Sequence, residues 1–75
     1  MSDRRLPVIS GAQLIKALER AGWEVARQRG SHVRLGHPER QLFLTVPLHR
    51  ELKRGTLGGI LTDAGIAPEQ LRDLL

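Results

Sequence analysis

Two short stretches, Trp23-Glu24-Val25-Ala26-Arg27 and Ser31-His32-Val33-Arg34-Leu35, alternate with a period of two and are separated by Gln28-Arg29-Gly30. That pattern predicts an antiparallel hairpin. Successive side chains of a strand point to opposite faces, so Val33 and Leu35 go one way and His32 and Arg34 the other. A sheet with one apolar and one basic face must be covered on the first side only. If Val25 and Val33 share the core face, the loop has three residues and Gly30 is its left-handed bulge position. The same register sets Glu24 opposite Arg34 and Ala26 opposite His32 on the outer face, where the imidazole stands beside a methyl group.

The flanking segments are helical. Ser10 followed by Gln13 makes a capping box, Leu14, Ile15, Leu18 and Ala21 recur at helical spacing, and Gly22 supplies a left-handed stop with Trp23 packing behind it. A turn at His37-Pro38-Glu39-Arg40 leads into a third antiparallel strand over Gln41–Val46, whose leucines and valine face the core. Phe43 falls on the open face beside Arg34 if Gly36 and Gln41 flank that turn. An exposed aromatic there can stack on a base or a protein partner; the alternative is burial under an extension of the helices. Pro47 ends the strand, and a basic connector over 48–54 precedes a second helix, which Thr56 caps, Leu57, Ile60, Leu61 and Ala64 line, and Gly65 stops. Pro68, Leu71, Leu74 and Leu75 mark a short closing helix. The expected fold is α+β, in the order α-β-β-β-α plus a terminal turn, with helices on one face of a three-stranded antiparallel sheet.

At 75 residues the chain has enough apolar surface for one small core, so one domain over 1–75 is expected. Cysteine is absent, which removes disulfides, thiolate metal sites and a cysteine nucleophile. No apolar run has the length of a membrane span, and Met1–Pro7 has no hydrophobic segment like that of a signal peptide, so a cytoplasmic location without membrane contact is expected. The formal charge is +4, yet the stretch from Arg27 to Arg54 holds seven basic residues against Glu39 and Glu51. That concentration suits a polyanion, nucleic acid before an acidic protein surface; a solvated basic face is the plainer reading. With Trp23 and Phe43 the only aromatics, a ladder of stacked bases is not expected.

The chemistry available on the open face centres on His32. An endonuclease without metal ligands can cut RNA, because the ribose 2′-hydroxyl is an internal nucleophile that needs only proton transfers and charge stabilisation at phosphorus. Histidine, with a reference pKa of about 6.5, offers both protonation states near neutrality. Arg34 on the same strand face, or Arg29 in the loop, can neutralise the phosphate. The competing reading of His32 is a polar residue on a solvated sheet. His49, in the connector, can serve as a second proton-transfer group, whereas His37 fits a turn residue. No histidine pair has ligand spacing with a nearby carboxylate, so no metal or other cofactor is expected. Lys53, Arg54, Gly55 and Thr56, before the second helix, make a phosphate seat from two cations and free backbone N–H groups, or simply a solvated cap. Gly58 and Gly59 inside that helix each cost about 0.8–1.0 kcal/mol relative to alanine and permit a close approach of sheet, substrate or partner.

Leu6-Pro-Val-Ile-Ser-Gly11, Leu14-Ile-Lys-Ala-Leu-Glu-Arg-Ala-Gly22, Arg27-Gln-Arg-Gly-Ser-His32, Val46-Pro-Leu-His49, Glu51-Leu-Lys-Arg-Gly-Thr-Leu57 and Ala64-Gly-Ile66 together resemble the HicA toxin family of bacterial toxin–antitoxin systems. The resemblance spans almost the whole chain. It implies a double-stranded-RNA-binding-domain-like fold, a metal-independent ribonuclease acting on messenger RNA, and inhibition by a HicB-type antitoxin. The free toxin is expected to be monomeric. On that pattern the catalytic histidine of the Gly-Ser-His motif falls on His32. From the residue reading, Arg29, Ser31, Arg34, Lys53, Arg54 and Thr56 are expected as RNA contacts and Gly30 as the structural turn. Two positions depart from the pattern. Gly58-Gly59 stands where many relatives have a larger, often basic pair, and Val33 where some have another histidine. A non-catalytic RNA-binding module is the alternative function.

Overall fold

The computed structural model describes residues 6–75. Its elements run α1 (Gly11–Arg20), β1 (Glu24–Arg29), β2 (His32–Gly36), β3 (Leu44–Pro47), α2 (Arg54–Ala64) and α3 (Pro68–Leu74). The three strands form one antiparallel sheet in sequence order. This is the expected α+β arrangement, with the closing segment present as α3.

Each helix ends where its sequence stops it. The Ser10 hydroxyl accepts from the Gln13 N–H at 3.1 Å, and the Gln13 side chain accepts from the Ser10 N–H at 2.9 Å, completing the capping box of α1. At its other end Gly22 takes φ 98°, and the Trp23 N–H returns to the Leu18 carbonyl, the bond pattern of a Schellman stop. Gly65, at φ 73°, and the Ile66 N–H bonded to the Leu61 carbonyl repeat this at the end of α2. Two arginines cover further helix-end carbonyls. Arg40 donates to Ala64 at 2.9 Å and to Asp63 at 3.0 Å, and Arg20 donates to Leu74 at 2.6 Å. Arg40, counted in sequence among the basic stretch that suits a polyanion, is therefore a structural residue.

One face of the sheet carries the core. Val33 and Leu35 from β2 and Leu44 and Val46 from β3 are buried beneath Leu14 and Leu18 of α1, Leu57 and Leu61 of α2 and Leu71 of α3. Burial of each such side chain is worth about 1.5–3 kcal/mol. Trp23 is buried as expected, with the His37 ring edge-on at 5.2 Å. His37 also accepts from the Glu39 N–H through Nδ1, and the Arg40 N–H bonds back to the His37 carbonyl, so the expected turn is present.

The hairpin register differs from the expected one. Arg29 pairs with His32, Gln28 with Val33 and Arg27 with Arg34, so the loop is the two residues Gly30-Ser31. A positive φ of 59° at Gly30 and none at Ser31 is the signature of a II′ turn. The extra residue lies instead within β1, where a bulge leaves Ala26 unpaired between Val25 and Arg27. Neither Glu24 opposite Arg34 nor Ala26 opposite His32 occurs: Glu24 faces Gly36 and Val25 faces Leu35. Val25 lies at the sheet edge and stays 46 % exposed, so it is not the core residue expected. The third strand begins at Leu44 rather than Gln41, and its pairs run from Leu35 with Leu44 to His32 with Pro47. Gly36 and Gln41 accordingly do not flank the second turn.

Thr56 is not a cap. The first bond of α2 runs from the Leu57 N–H to the Lys53 carbonyl, which makes Lys53 the N-cap, without a side-chain bond, and puts Arg54, Gly55 and Thr56 in the first helical turn. Thr56 was expected as the cap because its hydroxyl suits that position, but the backbone turns helical three residues earlier. Gly58 meets only Leu6 at ordinary contact distance and Gly59 meets nothing, so neither serves a close approach of the sheet. The glycine that does is Gly11, where a Cβ would collide with the Pro47 carbonyl.

Because nothing lies within 4 Å of a Cβ built on Gly30, substitution there acts through backbone conformation alone. Gly30→Val should cost on the order of 1–3 kcal/mol, lowering the melting temperature by roughly 5–20 °C. An unaltered melting temperature would contradict the turn assignment.

Candidate functional site

The open face of the sheet is built by register. Since Arg29 pairs with His32, Arg27 with Arg34 and Arg34 with Thr45, these five side chains share the face opposite the buried valines and leucines. They line one open-sided groove of about 160 Å³. All five are exposed. Among the described residues no carboxylate pairs with any of the three arginines, and no protein group hydrogen-bonds the His32 ring, so both ring nitrogens are available to a ligand. Arg27 and Arg34 stand directly opposite each other, a like-charge cross-strand pair that disfavours folding on the scale of roughly 0.2–1 kcal/mol.

The bulge is what assembles this group. Strict alternation from Trp23 would turn Arg27 and Arg29 toward the core along with Val25; one unpaired residue at Ala26 turns both outward. Gly30 and Ser31 then close the hairpin tightly enough that His32 opens β2. The Gln28 side chain bonds the Gly30 carbonyl at 3.1 Å, and the Ser31 carbonyl accepts from the Leu48 N–H at 2.7 Å, tying the turn to the chain leaving β3.

That connector is anchored along its length. The Gly11 N–H donates to the His49 carbonyl and the Leu52 N–H to the Ile9 carbonyl, both at 2.9 Å, and Leu52 is buried. The backbone at His49 is thus held, although its side chain lines no part of the groove. Lys53, Arg54 and Thr56 likewise lie outside the groove, on the first turn of α2, where the N–H groups of that turn precede the first helical bond and no acidic residue is present.

Of the residues singled out in sequence, the fold brings Arg29, His32 and Arg34 together and leaves Ser31 exposed in the adjacent turn. It adds Arg27 and Thr45. Thr45 was legible as the polar member of Leu44-Thr45-Val46, but Arg27 was hidden by the bulge. Phe43 flanks the group beside Arg34, although the Gly36 and Gln41 flanking on which that position was conditional does not occur: the guanidinium carbon lies 4.4 Å from the ring centroid, and the ring rests where a Gly36 side chain would be.

A face presenting three unpaired guanidiniums and an imidazole suits an anion such as a phosphodiester. Among the described residues no three His, Cys, Asp or Glu side chains gather as metal ligands, and no helix is long and apolar enough to cross a membrane. A search of curated proteins finds no significant match. The family described as HicA toxin of bacterial toxin-antitoxin matches residues 11–66, a span from the first residue of α1 past the end of α2 that contains the whole sheet and every groove residue, and the chain belongs to that family.

Proposed function

We propose that the protein is a toxin endoribonuclease, an mRNA interferase, that cleaves RNA without a metal ion and uses His32 as its general acid or base. The observation that carries this reading is the single imidazole set among Arg27, Arg29 and Arg34 with its nitrogens unengaged. In the reaction the substrate's 2′-oxygen attacks phosphorus and the bond from phosphorus to the 5′-oxygen breaks, leaving a 2′,3′-cyclic phosphate and a 5′-hydroxyl. His32 either takes the 2′-hydroxyl proton or protonates the leaving 5′-oxygen, and solvent carries the other proton. Arg29 and Arg34, with Arg27, hold the phosphate oxygens as negative charge builds on them. Thr45 and Ser31 supply hydroxyl contacts to the backbone of the RNA.

Lys53, Arg54 and Thr56, with the N–H groups of the first turn of α2, contact a further phosphate. A HicB-type antitoxin bearing acidic groups silences the free, monomeric, cytoplasmic toxin by covering the open face, since that face holds the cations and His32 together.

Replacing His32 by alanine removes no buried contact, so the melting temperature should stay within the shift that about 0.5 kcal/mol produces while RNA cleavage falls by roughly 10²–10⁴-fold. Cleavage of labelled RNA in EDTA, with analysis of product ends, checks this. Full activity of His32→Ala, loss of activity on chelation, or RNA bound but intact would each reject the mechanism, the last in favour of a binding module.

Lys53→Ala and Arg54→Ala should each reduce the slope of log binding constant against log salt by about 0.7, the value for one lost single-strand phosphate contact. Slopes equal to that of the unaltered protein would return both residues to a solvated helix end. In the antitoxin complex, amide exchange should slow along β2 and the Gly30-Ser31 turn. Slowing confined to the helices would show that inhibition works elsewhere.

A further inference from the structure

Phe43 is an aromatic ring left 53 % exposed in a chain with only one other, and that one is buried. Its position is built rather than incidental. The ring occupies the space a side chain at Gly36 would take, with Cε1 2.9 Å from a Cβ placed there, so any other residue at 36 would displace it. Arg34 lies over it at 4.4 Å. Arg34 also lines the groove, directly across from Thr45, and Phe43 is two residues before Thr45, about 6.6 Å along the chain at 3.3 Å per residue. A flat π surface and a phosphate-binding groove are therefore contiguous and share one guanidinium. In a nucleotide, a base and its flanking phosphate are likewise separated by one ribose.

We propose that Phe43, with Arg34 stacked on it, is a platform for one unpaired nucleobase of the RNA whose adjacent phosphate occupies the groove. This rests on the ribonuclease reading and adds a substrate class to it: the site takes single-stranded RNA, because a base within a duplex keeps its faces stacked on its neighbours. Stacking on an aromatic face is tolerant of base identity, so the platform selects strandedness rather than sequence. It also favours chemistry. Attack by the 2′-oxygen requires that oxygen, phosphorus and the leaving 5′-oxygen to come into line, and a base drawn out onto Phe43 frees the backbone to do so.

The test is equilibrium binding of a 2′-O-methyl oligoribonucleotide, which lacks the nucleophilic hydroxyl, as a single strand and as a duplex with its complement. The unaltered protein should prefer the single strand. Phe43→Ala and Phe43→Leu, the latter keeping apolar bulk over Gly36 without a π face, should weaken single-strand binding by roughly five- to a hundred-fold and duplex binding little. Phe43→Trp should restore it, with a fluorescence change on binding. If the unaltered protein shows no salt-dependent binding to either form, the ribonuclease reading itself falls. If it binds and cleaves RNA but Phe43→Leu binds the single strand as tightly, the platform alone falls. The same result with lost inhibition by antitoxin would make Phe43 a protein-docking residue and overturn the proposal as well.

Discussion

The unpaired Ala26 in β1 is the constraint on which the arrangement depends. A strand has two faces and a strict period, so inserting one residue exchanges the faces for everything beyond it. Before the bulge, Trp23 is buried and Val25 lies opposite Leu35 on the core side; after it, Arg27 and Arg29 lie opposite Arg34 and His32 on the open side. Without the bulge, a hairpin closed by Gly30-Ser31 could not hold both sets correctly. Either the arginines would face the hydrophobic layer or Val25 would lose its place opposite Leu35. The local irregularity thus lets the chain pass from the buried Trp23 to a cationic surface within one short strand whose own residues are all exposed.

The periodic signals were legible, and the aperiodic ones were not. Helical spacing with Ser10, Gln13 and Gly22 located α1 closely, and Gly65 located the end of α2, because capping chemistry acts over a few residues and leaves its mark in them. His32 and Arg34 were placed on the open face correctly, since β2 alternates without interruption. The hairpin register is not legible in the loop: Gly30 has the positive φ that either a bulged three-residue loop or a two-residue II′ turn requires, so its identity does not separate them. The place of Arg27 on the open face is hidden with it. The start of α2 was missed for a related reason, since Lys53 caps it through backbone geometry without the side-chain bond that makes caps visible in sequence.

The site also depends on contacts that no side-chain pattern announces. β3 is an edge strand of only Leu44–Pro47, and its far end is secured by three backbone bonds: Leu48 to Ser31, Gly11 to His49 and Leu52 to Ile9. The second of these brings the start of α1 against Pro47 so closely that only glycine fits at position 11. The turn that presents His32 is consequently braced, through β3 and the connector, against the helical layer. An imidazole on an unsupported hairpin tip would sample many positions; here the backbone around it is held at both neighbouring strands even though its ring is free.

The basic residues divide by what they touch. Arg20 and Arg40 end on helix carbonyls, where a guanidinium complements the negative end of the helix and contributes to stability. Arg27, Arg29 and Arg34 meet no carboxylate among the described residues, and two of them oppose each other across the strands. Such a pairing makes no sense as a source of stability, because replacing either partner by a carboxylate would convert repulsion to attraction at no cost in packing. It makes sense if an anion completes it. The free energy forgone in the unbound protein is then recovered on binding, and the same repulsion raises the affinity of the face for a phosphodiester or for an acidic protein that competes with it.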